Sequence, residues 1–241
     1  MFRDNNDPAV FGSSTFPNID YICCSMQTSI QTIIFDLGGV LLDIDPGRTI
    51  EAFRELGMPE FIRPGGWQYG HQVFTDMEQG LISNNQFRSR INKLLPKQVA
   101  EETIDRAWCA MLIGFDQAKI EFVRKLKKDY TLYLFSNTNA IHQSFFRELY
   151  FRKFQQDLDR LFTRAYYSSD ISLRKPSVEA FQFVINDAGI NPASALFIDD
   201  SEDNIRGAGQ TGLQTLWIRK KDDLRSELIR RLNVFQQGQH D

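Results

Sequence analysis

The sequence predicts an α/β fold: a parallel sheet with helices on both faces and a small helical domain inserted into it. Two observations predict this. Short apolar runs rich in β-branched and aromatic residues recur at TIIF (32–35), TLYLF (131–135), the weaker TRAYY (163–167), ALFI (195–198) and LQTLWI (213–218), with helical patterns between them. Strands that alternate with helices form a parallel sheet covered on both faces. The stretch 46–114, between the first two of these strands, carries helical rather than strand periodicity, so it reads as a bundle outside the sheet.

Residues 1–30 mix Asn, Asp, Pro, Ser and Gly without a sustained apolar period and read as a flexible extension. Met26 stands shortly before the first strand and is a candidate start of the folded protein. The first strand ends in Asp36 and is followed by the turn residues Gly38 and Gly39. Within the inserted stretch, Ser83 and Gln86 form a capping-box pattern ahead of Phe87, Ile91, Leu94 and Leu95, and Ile104, Trp108, Met111 and Leu112 share a second helix face. After Lys175, Pro176 suits a first helical turn, Val178, Phe181, Val184, Ile185 and Ala188 make an apolar face, and Gly189 a stop. Ser201 can cap a helix with Ile205 and Ala208 facing inward and Gly212 ending it. KKDDLRSELIRRLNVFQQ reads as a last amphipathic helix. The expected organisation is an α/β core from 31–45 and 115–241 and a helical cap from 46–114.

Composition narrows the function. With 28 Lys and Arg against 31 Asp and Glu the net charge is -3, so no basic excess invites nucleic acid. No apolar stretch approaches the roughly 18 residues that a membrane span needs, and no signal core stands at the N-terminus. Cys23, Cys24 and Cys109 form no CxxC pair, which fits a reducing cytoplasm. A small-molecule substrate is the expected partner, with the state open between monomer and homodimer.

Four polar signals fall at strand ends: Asp36; Ser136 with Asn137; Lys175; and Asp199 with Asp200. In an open parallel sheet ligands bind at that edge, where strand ends and helix N-termini converge. Taken singly, Asp36, Ser136 and Asn137 are equally well explained as caps and Lys175 as a surface lysine. Gly38 and Gly39 would let backbone amides approach a phosphate. Asp199-Asp200 is the strongest signal, because two adjacent acids at an interior edge call for a hard cation, although one of them could point outward instead.

Together IIFDLGGVL, LFSNTN, the lysine of LRKP and FIDDSEDNI resemble motifs one to four of the haloacid dehalogenase superfamily, over residues 32–218, and the inserted helices resemble its cap. The resemblance implies a magnesium-dependent phosphohydrolase in which Asp36 attacks phosphorus to give an aspartyl phosphate. Ser136 and Lys175 would hold phosphate oxygens, with Asn137, Gly38 and Gly39 beside them. Mg2+ would be held by Asp36, the backbone carbonyl of Gly38 and the acids Asp199 and Asp200, of which Asp200 aligns best with the direct ligand. Asn204 would organise the loop. The substrate would be a small phosphomonoester, with a hexose phosphate as the leading candidate.

The chain departs from most family phosphatases at Gly38, where they carry a second Asp as general acid and base. Such a group is typically worth about 10² to 10⁴ in rate. Asp43, Asp45 or a cap side chain are candidate substitutes, and Arg48, Trp67, His71 and Trp108 are candidates for substrate contact, with Trp108 and His71 equally readable as structural. A dehalogenase, a phosphoglucomutase and a phosphate-binding protein without turnover are the rival readings. The paired acids and Gly38 argue against the dehalogenase.

Overall fold

The computed structural model describes residues 29–58 and 71–237. Expectations for the N-terminal extension, Met26, Cys23, Cys24 and Trp67 therefore lie outside the described residues. Five parallel strands form the main sheet: β1 (Thr32–Phe35), β4 (Thr131–Ser136), β5 (Arg164–Tyr167), β6 (Ala195–Asp199) and β7 (Gln214–Trp217), in the order β5-β4-β1-β6-β7. The order reverses at β1, which pairs with β4 on one side and β6 on the other. That reversal opens a crevice at the carboxyl ends of the strands.

Alternation along the strands fills two cores. Ile33, Phe35, Leu132, Leu134, Leu196 and Ile198 face α5 (Gln117–Leu126), α6 (Ala140–Phe154) and α10 (Leu224–Gln237). Ile34, Phe135, Tyr166 and Phe197 face α8 (Val178–Ala188) and α9 (Glu202–Gly209). Each central strand is thus apolar on both sides, as a sheet covered on both faces requires.

A third apolar cluster lies in the inserted helices α1 (Pro46–Glu55), α2 (Gln72–Glu78), α3 (Asn84–Leu94) and α4 (Glu101–Cys109). Phe53, Phe74, Phe87 and Trp108 are fully buried there and meet ring to ring at 5.1–6.4 Å. Ser83 and Gln86 form the expected capping box of α3, and Phe87 and Ile91 are buried beneath it. Leu94 is exposed, and Leu95, the C-cap residue, is buried.

Three sequence expectations are corrected. The inserted stretch is not helical to residue 114: α4 stops at Cys109, and Leu112–Phe115 forms β3, antiparallel to β2 (Leu42–Ile44). Met111 and Leu112 therefore leave the helix face that Ile104 and Trp108 occupy. Strands of three or four residues are too short for periodicity to separate from a helix end. Pro176 precedes its helix instead of opening it, since α8 starts at Val178 with Ser177 as the N-cap residue. Gly189 does close that helix in the left-handed conformation. Ser201 caps α9 as expected, but the helix ends at Gly209, ahead of Gly212.

Candidate active site

The parallel register sets the site. Phe35 pairs with Ile198, and the Asp36 N–H donates to the Ile198 carbonyl at 2.8 Å, so Asp36 leaves β1 level with Asp199 at the end of β6. Asp36 is nearly buried and Asp199 fully so. A carboxylate oxygen from each of Asp36, Asp199 and Asp200 lies within 4.8 Å of the others.

Lys175 enters the same point from the loop between α7 (Ser168–Ile171) and α8. Its Nζ donates to Asp36 Oδ1 and to Asp199 Oδ2, both at 2.6 Å, and the side chain is wholly enclosed. The rings of Phe135 and Phe197 flank the ammonium at 5.4 and 5.3 Å. Burial works against the charged lysine, but Asp199 and Asp36 outweigh it and hold its pKa above the ordinary value.

The two adjacent acids at the end of β6 differ in what they touch. Asp199 is fully engaged: Ser201 N–H donates to Oδ1 at 2.8 Å, and Asn204 Nδ2 donates to both oxygens at 3.0 and 3.1 Å. Asn204 thus ties the loop to Asp199, and the lysine takes the remaining approach. The next residue, Asp200, is exposed and its backbone carbonyl accepts from Trp217 Nε1 at 2.9 Å. Its carboxylate sits against Gly39, where a Cβ would collide with it and where φ is +77°. Only glycine fits that position.

This cluster carries an electrostatic conflict. Burial raises the Asp36 carboxyl to about 8 against the pull of Lys175, and the charges of Asp199 and Asp200 add to the rise. Burial, with Asp199 beside it, raises Asp200 to about 6. An all-oxygen cluster of like charges with a single ammonium between them fits a hard divalent cation, which resolves the repulsion.

The other expected residues fall into place with different roles. Ser136 ends β4, buried. Asn137 does not cap the next helix: its Oδ1 accepts from the Lys175 N–H and its Nδ2 donates to the Lys175 carbonyl, both at 2.9 Å. The cap of α6 is Asn139, which accepts from His142 N at 3.1 Å. The Gly39 N–H is engaged in the turn, donating to the Leu42 carbonyl at 2.9 Å, so it is not presented to a phosphate. Gly38 has no left-handed backbone, and a Cβ there would meet only Ile44, at 3.4 Å.

A cavity of about 850 Å³ opens beside this cluster, with Gly39 and Asp200 on its wall together with Asp43, Thr49, Lys119 and Arg174. Asp43 pairs with Lys119 at 2.9 Å. Asp45 caps α1 through Gly47 N and pairs with Arg48 at 3.5 Å, both partners exposed. His71 is the N-cap residue of α2 without a side-chain cap bond. Trp108 is enclosed in the helical core. Its backbone carbonyl accepts from Thr49 Oγ1 at 3.1 Å, and its ring stacks on His142 at 4.5 Å. Sequence reasoning passed over Arg174, Lys119 and Glu78, although Arg174 stands next to Lys175.

A parallel sheet that reverses at its central strand, with three acids and an enclosed lysine at its carboxyl edge, is an open α/β fold with a candidate cation site. The chain belongs to the haloacid dehalogenase-like hydrolase family, whose model matches residues 30–212. It is 30% identical to D-ribitol-5-phosphate phosphatase of Bacteroides thetaiotaomicron over 85% of this chain and 99% of that protein. A crystal structure of a haloacid dehalogenase family enzyme from the same organism, in complex with magnesium and inorganic phosphate, matches with a TM-score of 0.73 and 34% identity, covering 81% of this chain and 97% of that one. A HAD-like family hydrolase from Porphyromonas gingivalis matches with a TM-score of 0.74 and 28% identity, covering 85% and 98%. Among the described residues no helix is long and apolar enough to cross a membrane.

Proposed function

We propose that this protein is a magnesium-dependent phosphatase of small phosphorylated sugars or sugar alcohols, with Asp36 as the nucleophile. The observation that carries the reading is the bridge from Lys175 Nζ to Asp36 and Asp199 at 2.6 Å each, with the Asp200 carboxylate close by and exposed. A cation held by Asp36, Asp200 and the Gly38 carbonyl, with Asp199 behind them, would neutralise charge on the nucleophile and on the ester oxygens.

The chain's own residues do the rest. Lys175 orients the Asp36 carboxylate and places a positive charge where the transferring phosphoryl group gathers negative charge. Ser136, at the adjoining strand end, donates to a phosphoryl oxygen. Asp36 attacks phosphorus in line, the alkoxide leaves, and water then hydrolyses the aspartyl phosphate. Asn137 acts through Lys175, fixing its main chain. Of the two nearby acids that could serve the leaving oxygen in place of an Asp at Gly38, Asp45 is engaged at a helix cap, while Asp43 lines the cavity. Asp43 is itself ion-paired with Lys119 at 2.9 Å, so the leaving alkoxide takes its proton from water.

The sequence pointed to a hexose phosphate. The relative named for D-ribitol 5-phosphate supports a wider class that includes pentitol phosphates. Phosphate release from a panel of sugar, sugar-alcohol and aryl phosphates, with magnesium and with chelator, tests the reading. Metal-dependent release that Asp36→Asn abolishes supports it, and no release from any compound, or release unaffected by the variant, contradicts it.

A further inference from the structure

Arg174 lines the cavity next to the acid cluster, one residue before Lys175. Its position is fixed twice. Asn137 holds the Lys175 main chain on both sides of that residue, and the Arg174 carbonyl accepts from Ser177 N at 3.2 Å. From the inserted helices, Glu78 at the end of α2 accepts from Arg174 Nη2 at 2.9 Å, with the Glu78 side chain nearly enclosed and that of Arg174 33% exposed. Glu78 is itself held, since its carbonyl accepts from Ser168 Oγ at 2.6 Å.

A guanidinium pinned in this way presents fixed N–H donors while its charge is cancelled by Glu78. The second ion pair on the same wall, Asp43 with Lys119, is cancelled in the same manner. The same wall carries Asp200, Glu202, Asp222 and Asp223 together with Arg219 and Lys220, so charges of both signs line it. Hydroxyls can both accept from and donate to the Arg174–Glu78 and Asp43–Lys119 pairs.

Resting on the phosphatase reading, we infer that Arg174, positioned by Glu78, is a specificity-determining residue that donates to hydroxyls of an uncharged polyol leaving group. The substrate class is then a polyol monophosphate. A hydrogen bond from a charged donor is worth about 1.5–3 kcal/mol, or roughly 10- to 100-fold.

The test compares kcat/KM for a pentitol 5-phosphate, n-pentyl phosphate and p-nitrophenyl phosphate, in the wild type and in Arg174→Gln, Arg174→Lys and Glu78→Gln. The wild type is expected to prefer the pentitol ester over pentyl phosphate, a comparison that needs no variant to fold. Arg174→Gln should lower the ratio of pentitol ester to p-nitrophenyl phosphate about 10- to 100-fold, mostly through KM, and Arg174→Lys should restore part of it. A wild type indifferent to the hydroxyls, or an equal loss on both esters in Arg174→Gln, overturns the inference. No turnover of any of the three esters by the wild type overturns the phosphatase reading instead.

Discussion

Asn137 holds Lys175 at both ends of that residue's backbone, its carboxamide accepting from the lysine N–H and donating to the lysine carbonyl at 2.9 Å each. The two strand-end signals are one device. The amide at the end of β4 sets the height at which the lysine crosses to Asp36 and Asp199, and this arrangement leads to the first prediction. Asn137→Ala should keep the fold and lower kcat by roughly 10²-fold, the cost of misplacing a reacting group by about 1 Å, with a smaller change in KM. Steady-state kinetics beside circular dichroism check it, and a rise in KM alone would mean that Asn137 contacts substrate directly.

Gly39 and Gly38 should respond oppositely to substitution. Gly39→Ala places a methyl group against the Asp200 carboxylate in a left-handed backbone. The strain is on the order of 1–3 kcal/mol, and magnesium affinity should fall about 10- to 100-fold. Calorimetric titration with magnesium and thermal unfolding measure both, and unchanged affinity would remove Asp200 from the cation site.

A Cβ at residue 38 meets only Ile44, at an ordinary contact distance, which leaves room to start the side chain of Gly38→Asp. The variant should fold with unchanged thermal stability and gain part of the roughly 10² to 10⁴ that a positioned acid supplies, most visibly on alkyl esters with poor leaving groups. A loss of rate on alkyl and aryl esters alike would show that the site already has its proton donor in place.

Magnesium binding should depend on pH through Asp36 and Asp200. Burial raises these carboxyls to about 8 and about 6, so below those values they hold protons that a bound cation must displace. Affinity should therefore increase as pH rises from about 6 to about 8, with proton release on binding. Titration calorimetry in buffers of different ionisation enthalpy reads the released protons directly, and an affinity flat across this window would contradict the raised carboxyls.

His142 predicts an acid-sensitive joint. Burial lowers its pKa to about 4, against the Trp108 carbonyl that its Nε2 meets at 3.0 Å. The unfolded chain, with a histidine near 6.5, binds the proton first as pH falls, so stability is lost from about 6.5 down to about 4. At about 1.4 kcal/mol per unit this amounts to roughly 3 kcal/mol. Urea unfolding of the wild type and His142→Gln at pH 7 and 4.5 should show the variant losing less on acidification, and equal losses would place the sensitivity elsewhere.

What could be read from the sequence was what local patterns determine. TIIF, TLYLF and ALFI are apolar on both faces, and the acids that follow them sit at strand ends because the apolar run stops there. What stayed hidden depends on partners far apart in the chain. Asn137 looks like a helix cap until Lys175, 38 residues away, takes both ends of its amide. Glu78 and Arg174 are separated by 96 residues and Asp43 and Lys119 by 76, so no periodicity joins them. The β2–β3 ribbon pairs Leu42 with Phe115 across the whole helical insertion, in strands too short to show alternation. Of the adjacent acids, sequence alone could not say which is tied down. The structure shows Asn204 and Ser201 on Asp199, which leaves Asp200 facing the cavity.

The most direct measurement is mass spectrometry of the protein acid-quenched during turnover of a polyol phosphate with magnesium. The account predicts a phosphoryl group on the peptide that contains Asp36, absent with chelator and absent from Asp36→Asn. Turnover that proceeds with no phosphoryl group on that peptide, and that Asp36→Asn retains, would contradict it.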